Sequence, residues 1–291
     1  MVAINKMDDA TVDYSEERYN ECKKEMESLL KVVGYDVSKI QFVPASGWIG
    51  DNLIKPSPKM PWYKGPTLLS TLDGFQEPAK PTDKPLRIPV QDVYSITGIG
   101  TVPVGRVETG VLKIGDNVVF MPVNARGECK DIETHHTKIP QAIPGDNIGF
   151  NIRGIAKTDV HRGDVAGHTD KPPTVANEFV GRIIVVYHPT AIAAGYTPVL
   201  HAHTATTSAT LVELMQKIDA RSGQVTQEKP DFLKTGDAAL VKIRPLRPLS
   251  IEPYAEIPQL GRFAIRDMGS TIAVGVVQQV TQKAEIPEKK A

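Results

Sequence analysis

Gln76-Glu77-Pro78-Ala79-Lys80-Pro81-Thr82-Asp83-Lys84-Pro85 is the stretch on which the fold of this chain turns. Three prolines and four charged side chains in ten residues can continue neither a helix nor a central strand, so the segment reads as a linker. On its N-terminal side, strands and helices alternate. Val2-Ala3-Ile4 is a short apolar strand. Ser15 then caps a helix whose first turn carries Glu16 and Glu17, where the helix dipole favours anions. Tyr19, Cys22, Met26, Leu29, Leu30 and Val33 recur at three and four residues, which predicts one buried stripe, and Gly34 is the expected stop. A second strand is expected at Ile40-Gln41-Phe42-Val43 and a short helix around Leu68 to Leu72. The order β-α-β-α makes this an α/β fragment with parallel strands. Two strands are few for a parallel sheet, whose interior strands need neighbours on both sides. The piece is therefore expected to be the end of a larger domain, or to dock on the rest of the chain.

Beyond Pro85 the pattern is β. Leu86-Arg87-Ile88-Pro89-Val90, Asn117-Val118-Val119-Phe120, Arg182-Ile183-Ile184-Val185-Val186 and Leu240-Val241-Lys242-Ile243 are strand-like, and Gly-Asp pairs at 115–116, 145–146, 163–164 and 236–237 mark turns. Many short strands with regular turns argue a sandwich or a barrel. A second break, Asp170-Lys171-Pro172-Pro173, divides them in two. The expected organisation is an α/β piece over residues 1–80 followed by all-β domains over 81–172 and 173–291.

Composition narrows the function classes. The 291 residues are 41% hydrophobic and 23% charged, which excludes a disordered or collagen-like chain. No apolar run approaches the roughly 20 residues of a membrane helix, and Lys6, Asp8 and Asp9 stand where a signal peptide would be apolar. Cys22 and Cys129 are too few for a disulfide framework, so a reducing, cytoplasmic setting is expected. Lys+Arg and Asp+Glu are both 34, so nucleic-acid binding must rest on local patches rather than on a basic excess.

Two loops carry chemistry. Asn5-Lys6-Met7-Asp8 ends the first strand, where ligands sit in open α/β sheets. An aspartate there can accept from the ring N–H and the exocyclic amine of guanine together, a donor pair that adenine lacks. The lysine stem can lie on the purine face and the asparagine can tie the loop to its neighbours. Pro44-Ala45-Ser46-Gly47-Trp48 follows the second strand in the same way, and its small residue and glycine let backbone N–H groups approach a ligand carbonyl. The glycines at 98, 100, 105 and 110 invite a dinucleotide-loop reading, but β-branched residues and Pro103 continue as strand rather than helix, so they are read as bends and close packing. His135-His136 and His201-x-His203 lack the third and fourth ligands a zinc site needs, so no metal site is expected. Lys283, Lys289 and Lys290 beside Glu285 and Glu288 read as a solvated tail.

The two loops resemble the base-reading half of a translational GTPase. The run from Gly98 to Gly110 resembles the signature of the barrel that follows the GTPase domain, and Gly261-Arg262-Phe263-Ala264-Ile265-Arg266-Asp267-Met268 with Thr271 to Val277 resembles the closing strands of a third domain. Together they are similar to the elongation factor 1-alpha family of the archaeal/eukaryotic type, in order and spacing, over essentially the whole chain. The resemblance implies an α/β remnant of a GTPase domain followed by two β-barrels. It implies GTP or GDP with magnesium as cofactor of the intact factor, and aminoacyl-tRNA, the ribosome and a guanine-nucleotide exchange factor as partners. It places Asn5, Lys6, Asp8, Ser46, Gly47 and Trp48 at the nucleotide. It places Asp92, Tyr94 and Asn147 around the aminoacyl pocket and Glu133 at the terminal ribose, where a carboxylate can accept from a 2′-hydroxyl. Gln91 and His136 depart from bacterial relatives, which carry glutamate and arginine there.

No G-x-x-x-x-G-K-[ST] stretch occurs, so these residues supply no phosphate cradle and no hydroxyl for magnesium. The chain is expected to be an N-terminally truncated fragment, inactive by itself as a GTPase and binding no cofactor tightly. Two alternatives stand beside aminoacyl-tRNA delivery: a related GTPase that carries a termination or ribosome-rescue protein, and a non-enzymatic tRNA-binding fragment.

Overall fold

The computed structural model describes residues 1–33, 35–76, 79–219 and 223–284, and they divide into two units, Met1–Ala79 and Lys80–Ala291. Gly34, two linker residues (Glu77 and Pro78) and the tail residues Glu285, Glu288, Lys289 and Lys290 lie outside the described residues.

The first unit is β1 (Val2–Ile4), α1 (Glu16–Val33), β2 (Phe42–Pro44) and α2 (Leu68–Asp73). β1 and β2 pair in parallel, Val2 opposite Phe42 and Ile4 opposite Pro44. The Ser15 hydroxyl accepts from the Arg18 N–H at 3.2 Å, as an N-cap should. The expected stripe on α1 is only partly buried. Tyr19 is buried and packs with Met7, Phe42 and Met60, but Met26 and Leu29 are exposed. Leu30 also packs on this cluster, so the described sheet, two strands wide, covers Tyr19 and Leu30 but not Met26 and Leu29.

The second unit holds two antiparallel sheets. The first comprises β3 (Ile88–Ile96), β4 (Gly100–Arg106), β5 (Leu112–Lys113), β6 (Asn117–Met121), β7 (Ala125–Thr134), β8 (Thr137–Lys138), β9 (Gln141–Ala142), β10 (Asn147–Arg153) and β11 (Val165–His168), with β5 and β9 paired apart from the main sheet. Its order β10-β4-β3-β11-β6-β7 closes on itself through β7–β10, which makes a six-stranded barrel. The second comprises β12 (Val175–Val185), β13 (Ile192–Ala193), β14 (Val199–Ala202), β15 (Ala205–Ile218), β16 (Val225–Glu228), β17 (Phe232–Leu233), β18 (Ala238–Pro245), β19 (Leu249–Ser250), β20 (Arg262–Asp267) and β21 (Ser270–Lys283), with β13 and β17 paired apart from the main sheet. Its order β14-β20-β21-β12-β18-β15 closes through β14–β15 into another six-stranded barrel. Each barrel has its own core, centred on the stacked Phe120 and Phe150 in one and on the edge-to-face Phe179 and Phe263 in the other.

The four Gly-Asp pairs share one device. Gly115, Gly145, Gly163 and Gly236 all take φ between 91° and 102°, and the following aspartate accepts at 2.7–2.9 Å from the N–H three residues before it. The glycine supplies the left-handed step and the carboxylate closes the turn. The glycines of the 98–110 run act as bends and close contacts: a Cβ on Gly105 would come within 2.5 Å of the Pro89 carbonyl oxygen.

The two barrels are joined by a buried ion pair. Arg87 Nε meets Glu252 Oε1 at 2.8 Å, and the same guanidinium donates to the carbonyls of Leu86, Lys171 and Pro172. Glu252 Oε1 also accepts from the Thr174 N–H. The break at 170–173 is thus held at both ends of its proline pair. The linker is likewise anchored where it enters the unit, since the Gly110 N–H donates to the Pro81 carbonyl and the Lys84 ammonium to the Glu256 carbonyl.

Candidate functional site

The ends of β1 and β2 lie side by side because the strands are parallel neighbours, so the loops after them meet. Ala45 N–H donates to Ile4 O at 2.9 Å, Met7 N–H to Ala45 O at 3.2 Å, and Gly47 N–H to Asn5 Oδ1 at 2.8 Å. The same Asn5 oxygen accepts from the Lys6 N–H, and Lys6 sits in the left-handed region at φ 62°. Met7 is turned into the core, which leaves Lys6 and Asp8 on the cleft side. Asn5, Lys6, Asp8, Asp9, Gly47 and Trp48 line one open cleft of about 360 Å³. The Asp8 carboxylate has no hydrogen bond or ion pair among the described residues, whereas Asp9 is engaged by the hydroxyl and N–H of Thr11, which hold its carboxyl below the usual range. Trp48 is 92% exposed at the rim.

The structure sorts the second loop's donors. Ser46 is wholly buried, its N–H donates to Asp51 O and its hydroxyl accepts from Ile49 N–H. The Gly47 N–H is taken by Asn5, and the Trp48 amide has no partner among the described residues. Of the amides expected to stand open to a ligand, Trp48's is the one in that state here. Ser46 holds the loop from inside, because a short buried hydroxyl reaches the N–H three residues on more easily than it reaches the cleft.

Asp92, Tyr94, Glu133 and Asn147 fall on the outer face of the first barrel. Asp92 pairs with Val104, Val104 with Gly149, and Gly149 with Glu133, so one row crosses four strands. Paired residues face the same side, and alternation adds Tyr94 and Asn147 to that side. Asp92 and Glu133 are three strand spacings apart, about 14 Å. Gly149 sits between them without a side chain, and a Cβ there would meet Val102 at 3.3 Å. The row therefore carries a carboxylate at each end, with Val104 and Gly149 between them. The Asp92 carboxylate holds the half-exposed Tyr94 phenol above its ordinary value. His136 Nδ1 lies 3.6 Å from Glu133 Oε1. Residue patterns had not pointed to Asn151, whose side chain donates to Ile99 O at 2.8 Å and ties β10 to the hairpin beside Tyr94.

Among the described residues no group of three or more His, Cys, Asp or Glu is placed to hold a metal ion. His203 uses both ring nitrogens on its own backbone surroundings, Nδ1 accepting from Thr204 N–H and Nε2 donating to Ser250 O, both at 2.8 Å. No helix among the described residues is long and apolar enough to cross a membrane.

Residues 100–167 match the family "Elongation factor Tu domain 2", and residues 178–278 match "GTP-eEF1A C-terminal domain-like". The chain is 63% identical over 283 residues to an elongation factor 1-alpha of Methanocaldococcus jannaschii, covering 97% of this chain and 66% of that protein. To that of Methanosarcina mazei it is 60% identical, covering 97% and 67%. Among solved structures, sup35 complexed with GMPPNP aligns with a TM-score of 0.66 at 31% identity, over 97% of this chain and 69% of the other. The chain thus spans about two thirds of the length of the relatives it matches.

Proposed function

The chain belongs to the elongation factor 1-alpha family, and on that premise we propose that it serves in delivering aminoacyl-tRNA to the ribosomal A site as a GTP complex, with hydrolysis after codon matching. The observation that carries the nucleotide half of this reading is the convergence of two loops, 42 residues apart at their Asn5–Gly47 bond, round a cleft into which the unpartnered Asp8 carboxylate can project. In this assignment Asp8 accepts from the guanine N–H and amine. The Lys6 stem and Trp48 flank the base, the Trp48 amide serves its carbonyl, and Asn5, Ser46 and Gly47 hold the loops together. The residues fit the base of GTP. They do not fit its phosphates or magnesium, because the 291 residues contain no phosphate-loop stretch, so no hydrolytic step is assigned to them. Residues 1–80 are assigned to the GTP-binding domain, 81–172 and 173–291 to the two barrels. The ribosome and an exchange factor are the partners, in the cytoplasm.

The barrel half rests on the row that runs from Asp92 through Val104 and Gly149 to Glu133. A 3′-terminal ribose offers a 2′-hydroxyl donor to a carboxylate such as Glu133, and Asp92, Tyr94 and Asn147 surround the space for the aminoacyl group.

Two variants test these assignments, both in the chain fused behind the front third of the M. jannaschii relative. Asp8→Asn converts an acceptor pair into one donor and one acceptor, which suits xanthine rather than guanine. GDP affinity is expected to fall by roughly 2–3 kcal/mol while xanthosine diphosphate binding improves. Unchanged GDP affinity with no gain for xanthosine diphosphate would remove Asp8 as the base reader. Glu133→Ala is expected to weaken charged-tRNA binding by roughly 1.5–3 kcal/mol and to leave GDP binding alone. A solvated strand residue would change it by less than about 0.5 kcal/mol.

A further inference from the structure

The second loop is a closed ring. Ser46 N–H donates to Asp51 O, Gly50 N–H to Ser46 O and Ile49 N–H to the Ser46 hydroxyl, so Asp51 is where the ring fastens. The Asp51 side chain is in turn gripped from outside the ring. Tyr14 donates its hydroxyl to Oδ2 at 2.7 Å, Lys59 Nζ lies 3.3 Å from the same oxygen, and Ser57 donates to Oδ1 at 3.1 Å. Tyr14 belongs to the other side of the site. Its N–H donates to Met7 O at 2.8 Å, inside the Asn5–Asp8 loop. One residue therefore bonds both base-reading loops, the first through its backbone and the second through its hydroxyl.

Every other polar group of Tyr14 is also committed. Its carbonyl accepts from Trp62 Nε1 at 3.0 Å, and Lys59 Nζ donates to its hydroxyl at 3.1 Å while standing 4.8 Å above its ring. Asp13 and Tyr14 both lie in the left-handed region, at φ 44° and 56°, a conformation that non-glycine residues adopt sparingly and hold when their surroundings require it. The hydrogen bond is charge-assisted: it holds the Tyr14 phenol above its usual range and the Asp51 carboxyl below its own.

We propose that Tyr14, through its hydroxyl on Asp51, is the positioning residue that sets the spacing of the two guanine-reading loops and so the discrimination of the base. The proposal rests on the guanine assignment made above. Tyr14 touches no ligand in this arrangement. Its effect passes through Met7 to the Asp8 side and through Asp51 to the Gly47–Trp48 side.

Two readouts on the 291-residue chain test it, each comparing wild type with Tyr14→Phe, Asp51→Leu and the double variant. The first is amide hydrogen exchange resolved by NMR, which needs no ligand. Tyr14→Phe is expected to speed exchange at Ser46 and Gly47 about tenfold and leave the barrel amides unchanged, with Asp51→Leu giving the same result and the double variant adding little. The second is titration with guanosine and with inosine, which lacks the 2-amino group. Tyr14→Phe is expected to cut the guanosine-to-inosine preference at least threefold, whereas general loosening would weaken both nucleosides alike. Unchanged exchange overturns the clamp. Faster exchange with an intact preference overturns the positioning role and leaves a structural one. A wild-type chain that does not prefer guanosine overturns the guanine assignment and this proposal with it, and the exchange data then still report whether the clamp exists.

Discussion

Replacing Arg87 by methionine is expected to lower the stability of the barrel unit by roughly 3–5 kcal/mol. The Arg87 and Glu252 side chains are 5% and 3% exposed, and their pair bridges the two barrels across 165 residues of sequence. Removing the guanidinium strands the Glu252 carboxylate in a dry site with only the Thr174 N–H beside it, and it frees the carbonyls of Lys171 and Pro172. The cost is mostly that of an uncompensated buried charge, so Arg87→Met with Glu252→Leu is expected to recover much of the loss. Far-UV circular dichroism through a urea titration reads this unit, and fluorescence of Trp48 and Trp62 reads the first unit separately. A loss under about 1 kcal/mol in the single variant would show that the pair is not buried as described.

Two groups in the barrels are expected to bend the pH profile in opposite directions. Burial, which outweighs the hydrogen bond to Ser250 O, pushes His203 down to about 4 from an ordinary 6.5. The unfolded chain therefore takes this proton first. The stabilisation is complete above about pH 6.5 and is lost as pH falls through 4, to the extent of about 3 kcal/mol. Burial pushes Asp164 up to about 6 from 3.8, against the His161 N–H that its carboxylate accepts. Here the folded chain takes the proton first, so stability rises as pH falls from 6 toward 4, by a similar amount. His203→Gln is expected to lose less stability than wild type as pH falls from 6.5 to 4, and Asp164→Asn to lack the gain that wild type makes between pH 6 and 4. Parallel pH dependence of all three proteins between pH 7 and 4 would contradict both assignments.

What the sequence made legible was local. Val2–Ile4, the Ser15 cap and the Gly-Asp turns each announce themselves within a few residues, because a cap, a left-handed glycine or an apolar run constrains its own neighbourhood. The misjudged part of α1 shows the limit. Periodicity marks Met26 and Leu29 as apolar-face residues but says nothing of how wide a sheet lies beneath them. Barrel closure through β7–β10 and β14–β15, and the Arg87–Glu252 bridge, join distant segments and leave no trace in local pattern. The two loops assigned to the base were legible because both sit at strand ends. Glu133 and Asp92 were not, since each alone is a surface strand residue. Their alignment depends on a register through Val104 and Gly149, and only the family resemblance singled them out beforehand. Tyr14 and Asp51 lie 37 residues apart, and their bond left no trace in local pattern.

If these loops and the row from Asp92 to Glu133 belong to a carrier of charged tRNA, the aminoacyl ester is shielded when the carrier holds GTP. The deciding measurement is the rate at which that ester hydrolyses in the presence of the chain fused behind the M. jannaschii front third, with GTP or GDP. The GTP form is expected to slow hydrolysis at least tenfold, the GDP form to protect far less, and uncharged tRNA to compete poorly. Ester hydrolysis at the free-solution rate with saturating GTP-loaded protein would contradict it.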